Sequence, residues 1–152
     1  MPDPVQIRLA EPKDATFLAA LNRDFNDSAT TPEQIARQLQ EGTGTEVILV
    51  AEINGRVVGF ACMQMMTSIC YPNPWAELSE LYVHPSHRRC GLGRALLQKA
   101  EDQTRSWGAR EIHLRTGAKN AAGKALYRTM GYCEDPEILF QKRLRDLLES
   151  RE

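Results

Sequence analysis

Along the chain, apolar residues recur with period two in some stretches and every three to four residues in others, and the switches between these periods mark out the elements. Val5 to Leu9 alternates and predicts a short strand. Pro12-Lys13-Asp14 opens a helix with Ala15, Leu18, Ala19, Leu21 and Phe25 on its apolar side. After a loop at Asp27-Ser28-Ala29-Thr30, Thr31 stands as an N-cap before Pro32 at the first helical position. That second helix runs to about Glu41 and stops at Gly42. Val47 to Ile53 is a strongly apolar strand, Asn54-Gly55 is a hairpin turn, and Arg56 to about Met66 is the returning strand. Ser68 to Trp75 reads as a loop of turn formers and aromatics.

The next apolar run, Leu78-Ser79-Glu80-Leu81-Tyr82-Val83, predicts a strand beginning near Glu77 and ended by His84-Pro85. From Leu92 to Trp107 the apolar positions Leu92, Ala95, Leu96, Leu97, Ala100 and Trp107 fit a helix with one buried face, closed by Gly108. Glu111 to Thr116 is a further strand. Asn120 to Met130 is a shorter helix with Ala122, Ala125, Leu126 and Met130 inward, ended by Gly131. Ile138 to Leu144 reads as a last strand, and Leu144 to Glu152 as a charged terminal helix or a frayed end. Helices interleaved with strands and a strand hairpin predict an α/β or α+β fold with a mixed sheet.

Composition narrows this picture little. At 152 residues the chain suits one domain with its own core, spanning 1–152. The net charge of −1 gives no overall attraction to nucleic acid or to an anionic membrane, so neither is expected as a partner. The polar, proline-containing start at Met1-Pro2-Asp3-Pro4 and the lack of a long apolar run predict a cytoplasmic protein. Cys62, Cys70, Cys90 and Cys133 have no paired spacing, so no metal and no disulfide framework is expected.

Charge matters locally, between the strand and the helix that comes after it. His87-Arg88-Arg89-Cys90-Gly91-Leu92-Gly93-Arg94 places two glycines and three arginines at a helix start. The first helical turn has N–H groups without intrahelical partners, and the helix dipole adds positive charge there. Glycines let an anion reach the backbone, and guanidinium groups bind phosphate through a fork of donors. The predicted ligand is a phosphate, a pyrophosphate above all; the bland alternative is a solvated basic turn. Cys90 sits where thiolate is favoured, which predicts sensitivity to oxidation.

Arg88-x-x-Gly91-x-Gly93, preceded by Leu81-Tyr82-Val83-x-Pro85 and followed by Ala95-Leu96-Leu97, resembles the motif of the GCN5-related N-acetyltransferases (GNAT family). Asn120-x-x-x-Lys124-x-x-Tyr127-x-x-x-Gly131-Tyr132 is similar to a second segment of that family. The resemblance implies a mixed, mostly antiparallel sheet of six to seven strands flanked by about four helices. It implies acetyl-CoA as cosubstrate and acetyl transfer to a primary amine of a small molecule or peptide. It implies coenzyme binding by Arg88, Arg89, Cys90, Gly91, Leu92, Gly93, Arg94 and Ala95, with backbone pairing to the pantetheine arm at Leu81, Tyr82 and Val83. Asn120 would bond the arm or the loop near it, Lys124 could touch phosphate, with a solvated lysine as the other and preferred reading, and a homodimer is common in the family.

The chemistry needs a base for the amine and an acid for the departing sulfur. Tyr127, two helical turns after Asn120, is the implied acid; the other reading is a packed core tyrosine. Glu77 and Glu80 are the base candidates, Glu77 preferred, with solvent-facing carboxylates as the alternative. Strict alternation puts them on opposite faces, and a bulge would change that parity. His84 and His87 near the loop read as turn residues, with proton transfer as the alternative for either and phosphate contact for His87. The acceptor site is expected between the first two helices and residues 68–75. There Asp24, Asp27, Glu33, Glu41, Tyr71 and Trp75 hint at a small cationic amine such as a polyamine or an aminoglycoside. An acyl-CoA-binding or sensing module without turnover is the alternative function.

Overall fold

In the computed structural model of the chain, residues 3–144 are described. Five strands form a sheet in the order β1 (Val5–Leu9), β2 (Glu46–Ile53), β3 (Arg56–Met66), β4 (Trp75–Val83) and β5 (Ile112–Leu114). The first four are antiparallel neighbours, and β5 runs parallel to β4. Four helices accompany them: α1 (Ala15–Asn26), α2 (Pro32–Glu41), α3 (Leu92–Ser106) and α4 (Ala121–Thr129). The mixed, mostly antiparallel sheet and the four helices are as expected.

Local chemistry explains the well-formed pieces. Asn54 and Gly55 both take positive φ, 51° and 76°, which a two-residue hairpin with the right strand twist requires. Thr31 accepts from the Gln34 N–H while the Gln34 side chain accepts from the Thr31 N–H, closing a capping box ahead of Pro32. On one side of the sheet α1 and α2 cover Val50, Phe60 and Tyr82 with Leu18, Leu21 and half-buried Ile35 and Leu39. On the other, Leu92, Leu96, Leu97 and Ala100 of α3 pack on Leu49, Ala61, Met63, Ala76 and Leu78.

Two expectations are corrected. The sheet has five strands among the described residues, not six or seven, because the predicted strand Ile138 to Leu144 pairs with none of them. Its apolar residues stand in solvent, with Ile138 78% and Phe140 91% exposed. The terminal helix expected after Leu144 lies outside the described residues. The second correction concerns α4: Ala122 and Ala125, expected inward, are exposed, and the helix buries no residue fully. The strand expected over Glu111 to Thr116 is also shorter, since only Ile112–Leu114 pairs with β4.

One irregularity interrupts the pairing of β3 with β4. Along β3, Cys62 faces Glu80 but Met63 faces Leu78, so Ser79 is an extra residue in β4. Its hydroxyl donates to the Cys62 carbonyl at 3.2 Å.

Candidate functional site

β4 is paired to β3 along its whole length, through Val83, but to β5 only at Ala76, Leu78 and the residue between them. Beyond Leu78 and Leu114 the two strands part. From Ser79 to Val83, the side of β4 turned toward β5 has no strand partner among the described residues. A cleft of about 170 Å³ fills the gap, lined by Glu80, Leu81, Arg115, Asn120 and Tyr127, with Phe25 reaching in from α1.

The open strand edge leads to the basic turn. Pro85–His87 forms a single tight turn, Arg89 follows with φ 63°, and Gly91 caps α3 with φ 80°. No side chain caps the first turn of α3. Its first intrahelical bond runs from the Ala95 N–H to the Gly91 carbonyl at 3.0 Å. The N–H groups before Ala95 therefore face solvent or a ligand. Arg89, Cys90, Gly91 and Arg94 are exposed, Gly93 and Ala95 half-buried, and Leu92 is in the core. A Cβ on Gly93 would sit 3.3 Å from Leu126 Cδ2, so this glycine also lets α4 come close. The donor set and the open backbone fit a diphosphate.

Arg88 is engaged elsewhere. Its Nε donates to the Val83 carbonyl at 2.9 Å, and its guanidinium lies 5.3 Å from the centre of the Tyr82 ring. Phe25 stacks on the same ring at 4.8 Å. The first arginine of the motif thus buttresses the end of β4, while Arg89 and Arg94 remain at the loop.

On the far wall, Asn120 works as an N-cap. Its Oδ1 accepts from the Gly123 N–H and its Nδ2 donates to Thr116 Oγ1, both at 3.0 Å. Lys124 Nζ donates to the Ala118 carbonyl at 2.6 Å, so it braces the same loop. Tyr127 lines the cleft and sits 5.9 Å, ring to ring, from Tyr132, whose hydroxyl donates to Glu101 Oε1 at 3.1 Å. Burial raises the pKa of Tyr127 above its ordinary 10.0. A phenol in this setting keeps its proton at neutral pH and can give it up only to a strong base.

The two candidate carboxylates are separated by the bulge. Ala76 and Leu78 pack on the α3 side, and past Ser79 it is Leu81 and Val83 that do so. Glu77 and Glu80 consequently share the opposite face with Tyr82. Here strict alternation fails, for the reason that Ser79 takes up one residue without a partner. Glu80 lines the cleft; Glu77 lies outside its lining, 4.0 Å from Arg115. Glu46 stands opposite Gln64, which stands opposite Glu77, and Gln64 Nε2 donates to Glu46 at 2.6 Å. Burial pushes the Cys62 thiol far up, and Glu80 and Glu46 push it further. Three carboxylates therefore gather on the α1–α2 face of the sheet.

The rest of the expected acceptor wall is divided. Tyr71 and Trp75 meet edge to face at 6.0 Å. Asp24, Asp27, Glu33 and Glu41 are exposed and none lines the cleft. Asp24 instead borders a separate hollow of about 300 Å³ with His84 and His87. Both histidines are tied to the Ser86 hydroxyl, at 2.6 and 2.9 Å. Sequence reasoning missed Glu46, Phe25 and Arg115, because strand register and helix docking bring them to the site and no local motif marks them. Among the described residues no group of His, Cys, Asp or Glu is arranged to hold a metal, and no helix is long and apolar enough to cross a membrane.

Residues 15–132 match the Acetyltransferase (GNAT) family. The chain is 30% identical over 140 residues to an aminoglycoside N(6')-acetyltransferase type 1 of Stenotrophomonas maltophilia, covering 88% of this chain and 90% of that protein. It is 34% identical over 91 residues to the N-acetyltransferase MJ1207 of Methanocaldococcus jannaschii, which is 59% of this chain and only 40% of that protein. The fold matches the aminoglycoside N-acetyltransferase AAC(6')-Iy in complex with CoA, with a TM-score of 0.81 at 18% identity over 94% of this chain and 97% of the other.

Proposed function

Because the chain belongs to the GNAT acetyltransferase family, we propose that it moves an acetyl group from acetyl-CoA directly to the primary amine of a small cationic molecule or peptide, within a ternary complex. The observation that supports this most is the strand edge left open beyond Leu78. It joins a cleft holding Glu80 and Tyr127 to a loop of free N–H groups and arginines. Backbone groups at Leu81, Tyr82 and Val83 would pair with the amides of the pantetheine arm, and the loop from Arg89 to Arg94 would hold the diphosphate.

In this reading Glu80 takes a proton from the bound ammonium, directly or through a water. The freed amine attacks the thioester carbonyl carbon; a C–N bond forms and, as the tetrahedral adduct collapses, the C–S bond breaks. The sulfur takes the Tyr127 proton, the second amine proton leaves to solvent, solvent reprotonates the phenol, and Glu80 returns its proton to solvent. The products are an amide and a free thiol, and no covalent enzyme intermediate is formed. Proximity and orientation supply most of the rate. Glu77 and Glu46 favour a cationic acceptor beside the cleft, and the Tyr71–Trp75 pair offers it an apolar wall. The similarity to an aminoglycoside acetyltransferase supports amine acceptors of that charge class.

The test is release of free thiol from acetyl-CoA over a panel of polyamines, aminoglycosides and peptide N-termini, with mass detection of the acetylated product. Turnover with a cationic amine is expected. Tight coenzyme binding with no transfer to any of them would favour a sensing module instead.

A further inference from the structure

Away from the cleft, α1 borders a second and larger hollow. Phe17, Ala20, Leu21 and Asp24 form one stripe of the helix and line a space of about 300 Å³. The cleft, at about 170 Å³, shares no lining residue with it. Its volume reaches the lower end of the range for small-molecule sites. The floor is apolar, made by buried Leu21, Val57 and Val58. The far wall is the tight turn that holds His84, Ser86 and His87.

Two opposite charges line this hollow without meeting. The Arg56 guanidinium lies 5.9 Å from the centre of the Phe17 ring, which holds it at the rim. Asp24 lines the same space from α1. Among the described residues neither of them has an ion-pair partner. The turn adds a third polar group. His84 Nδ1 accepts from the Ser86 N–H at 3.2 Å, so the neutral ring carries its proton on Nε2. The Ser86 hydroxyl then donates to that Nδ1 and accepts from the His87 Nδ1–H. His84 Nε2–H is left as a donor with no protein acceptor among the described residues.

We propose that this hollow binds a small apolar zwitterion, an α-amino acid with an aliphatic or aromatic side chain. Its carboxylate meets Arg56 and His84, its ammonium meets Asp24, and its side chain covers Val57 and Val58. A ligand with both charges satisfies both unpaired groups at once. A plain anion would be set against Asp24 and a plain cation against Arg56, so the hollow discriminates against each. The apolar floor adds the gain of removing buried-edge carbon from water. The site stands apart from acetyl transfer but touches it through the chain. The turn on its far wall runs directly into Arg88 and the basic loop. An occupant held between α1, β3 and that turn restrains the loop and so tightens coenzyme binding, a consequence that rests on the loop holding coenzyme A.

The experiment is a heteronuclear NMR titration of the full chain with L-leucine and with L-phenylalanine. Saturable shifts are expected at the amides of Leu21, Val57 and Val58, with Thr116 and Gly117 of the cleft unmoved. Isocaproate, which lacks the ammonium, and leucinamide, which lacks the carboxylate, should each bind about tenfold more weakly than leucine. Arg56→Gln should weaken leucine and leave leucinamide unchanged, while Asp24→Asn should weaken leucine and leave isocaproate unchanged. Both side chains are exposed, so the variants should keep the fold. Calorimetry should find coenzyme A bound about fivefold more tightly when leucine is saturating. Saturable shifts with neither amino acid, shifts confined to the cleft, or isocaproate binding as well as leucine would each overturn the site. Coenzyme A affinity that ignores bound leucine would overturn the coupling. A chain that binds leucine at the hollow but no coenzyme A would uphold the site and sink the coenzyme reading alone.

Discussion

At Tyr127 the environment and the proposed duty agree. Desolvation raises its pKa above 10.0, so the phenol stays protonated through the physiological range and remains able to protonate a thiolate. Substituting Tyr127→Phe keeps the ring and removes the proton. It should lower kcat by about a hundredfold, the low end of acid–base contributions, with little change in KM. An unchanged kcat would assign the proton to another group. The same shift predicts that kcat for the wild type has no descending limb below about pH 10 that arises from this group. Glu77 and Glu80 separate by the same kind of measurement. Glu80→Gln should cut kcat/KM by at least about tenfold. Glu77→Gln should mainly raise KM for a cationic amine. At this scale the sequence was readable where the signal is local: Arg88 to Arg94 and Asn120 to Tyr127 are contiguous motifs. It was unreadable at Glu77 and Glu80, whose shared face depends on one unpaired residue, Ser79, and thus on the partner strand. Nor does any motif show that Arg88 turns to Val83 and Tyr82.

Among the elements, the junction of β4 with α3 carries the proposed coenzyme loop, and its conformation depends on glycine. Gly91 has φ 80°, and nothing lies within 4 Å of where its Cβ would be. A side chain there would meet backbone strain of roughly 1–2 kcal/mol and would project into the space an anion must occupy. Gly91→Val should therefore weaken coenzyme A binding about tenfold or more by calorimetry, with a modest fall in Tm. Unchanged affinity would mean that the diphosphate lies elsewhere. This junction was legible because an apolar strand, a glycine turn and a 3.6-period helix follow one another in sequence. The opposite case is the segment from Ile138 to Leu144. Its period-two pattern is real, but alternation alone does not supply a neighbouring strand, and the segment pairs with none among the described residues. For α4 the failure runs the other way: Ala122 and Ala125 fit an inward stripe, yet both are exposed and none of the described elements covers them.

For the molecule as a whole, the sheet separates two cores, and one ionic network ties the α1 side to the strands. Asp14, only 3% exposed, receives both guanidinium nitrogens of Arg8 at 2.7 and 2.9 Å, and Arg8 also pairs with Glu52. Burial alone would raise the pKa of Asp14. The Arg8 fork and the Glu11 N–H outweigh it, and the net effect is a pKa below the ordinary 3.8. A depressed carboxylate pKa stabilises the fold above the unfolded value and loses that contribution as pH falls through the folded one. The chain should therefore keep the network's full contribution at neutral pH and lose it progressively once pH drops below about 3.8. Asp14→Asn leaves the largely buried Arg8 fork facing a neutral amide and should cost about 3 kcal/mol at pH 7, read as a lower urea midpoint. The deficit should shrink in acid, where the wild-type carboxylate is itself protonated. A pH-independent deficit would mean that Asp14 acts by packing and capping alone. Since α1 also delivers Phe25 to the cleft and stacks it on Tyr82, the same substitution should raise KM for the amine acceptor before it lowers kcat.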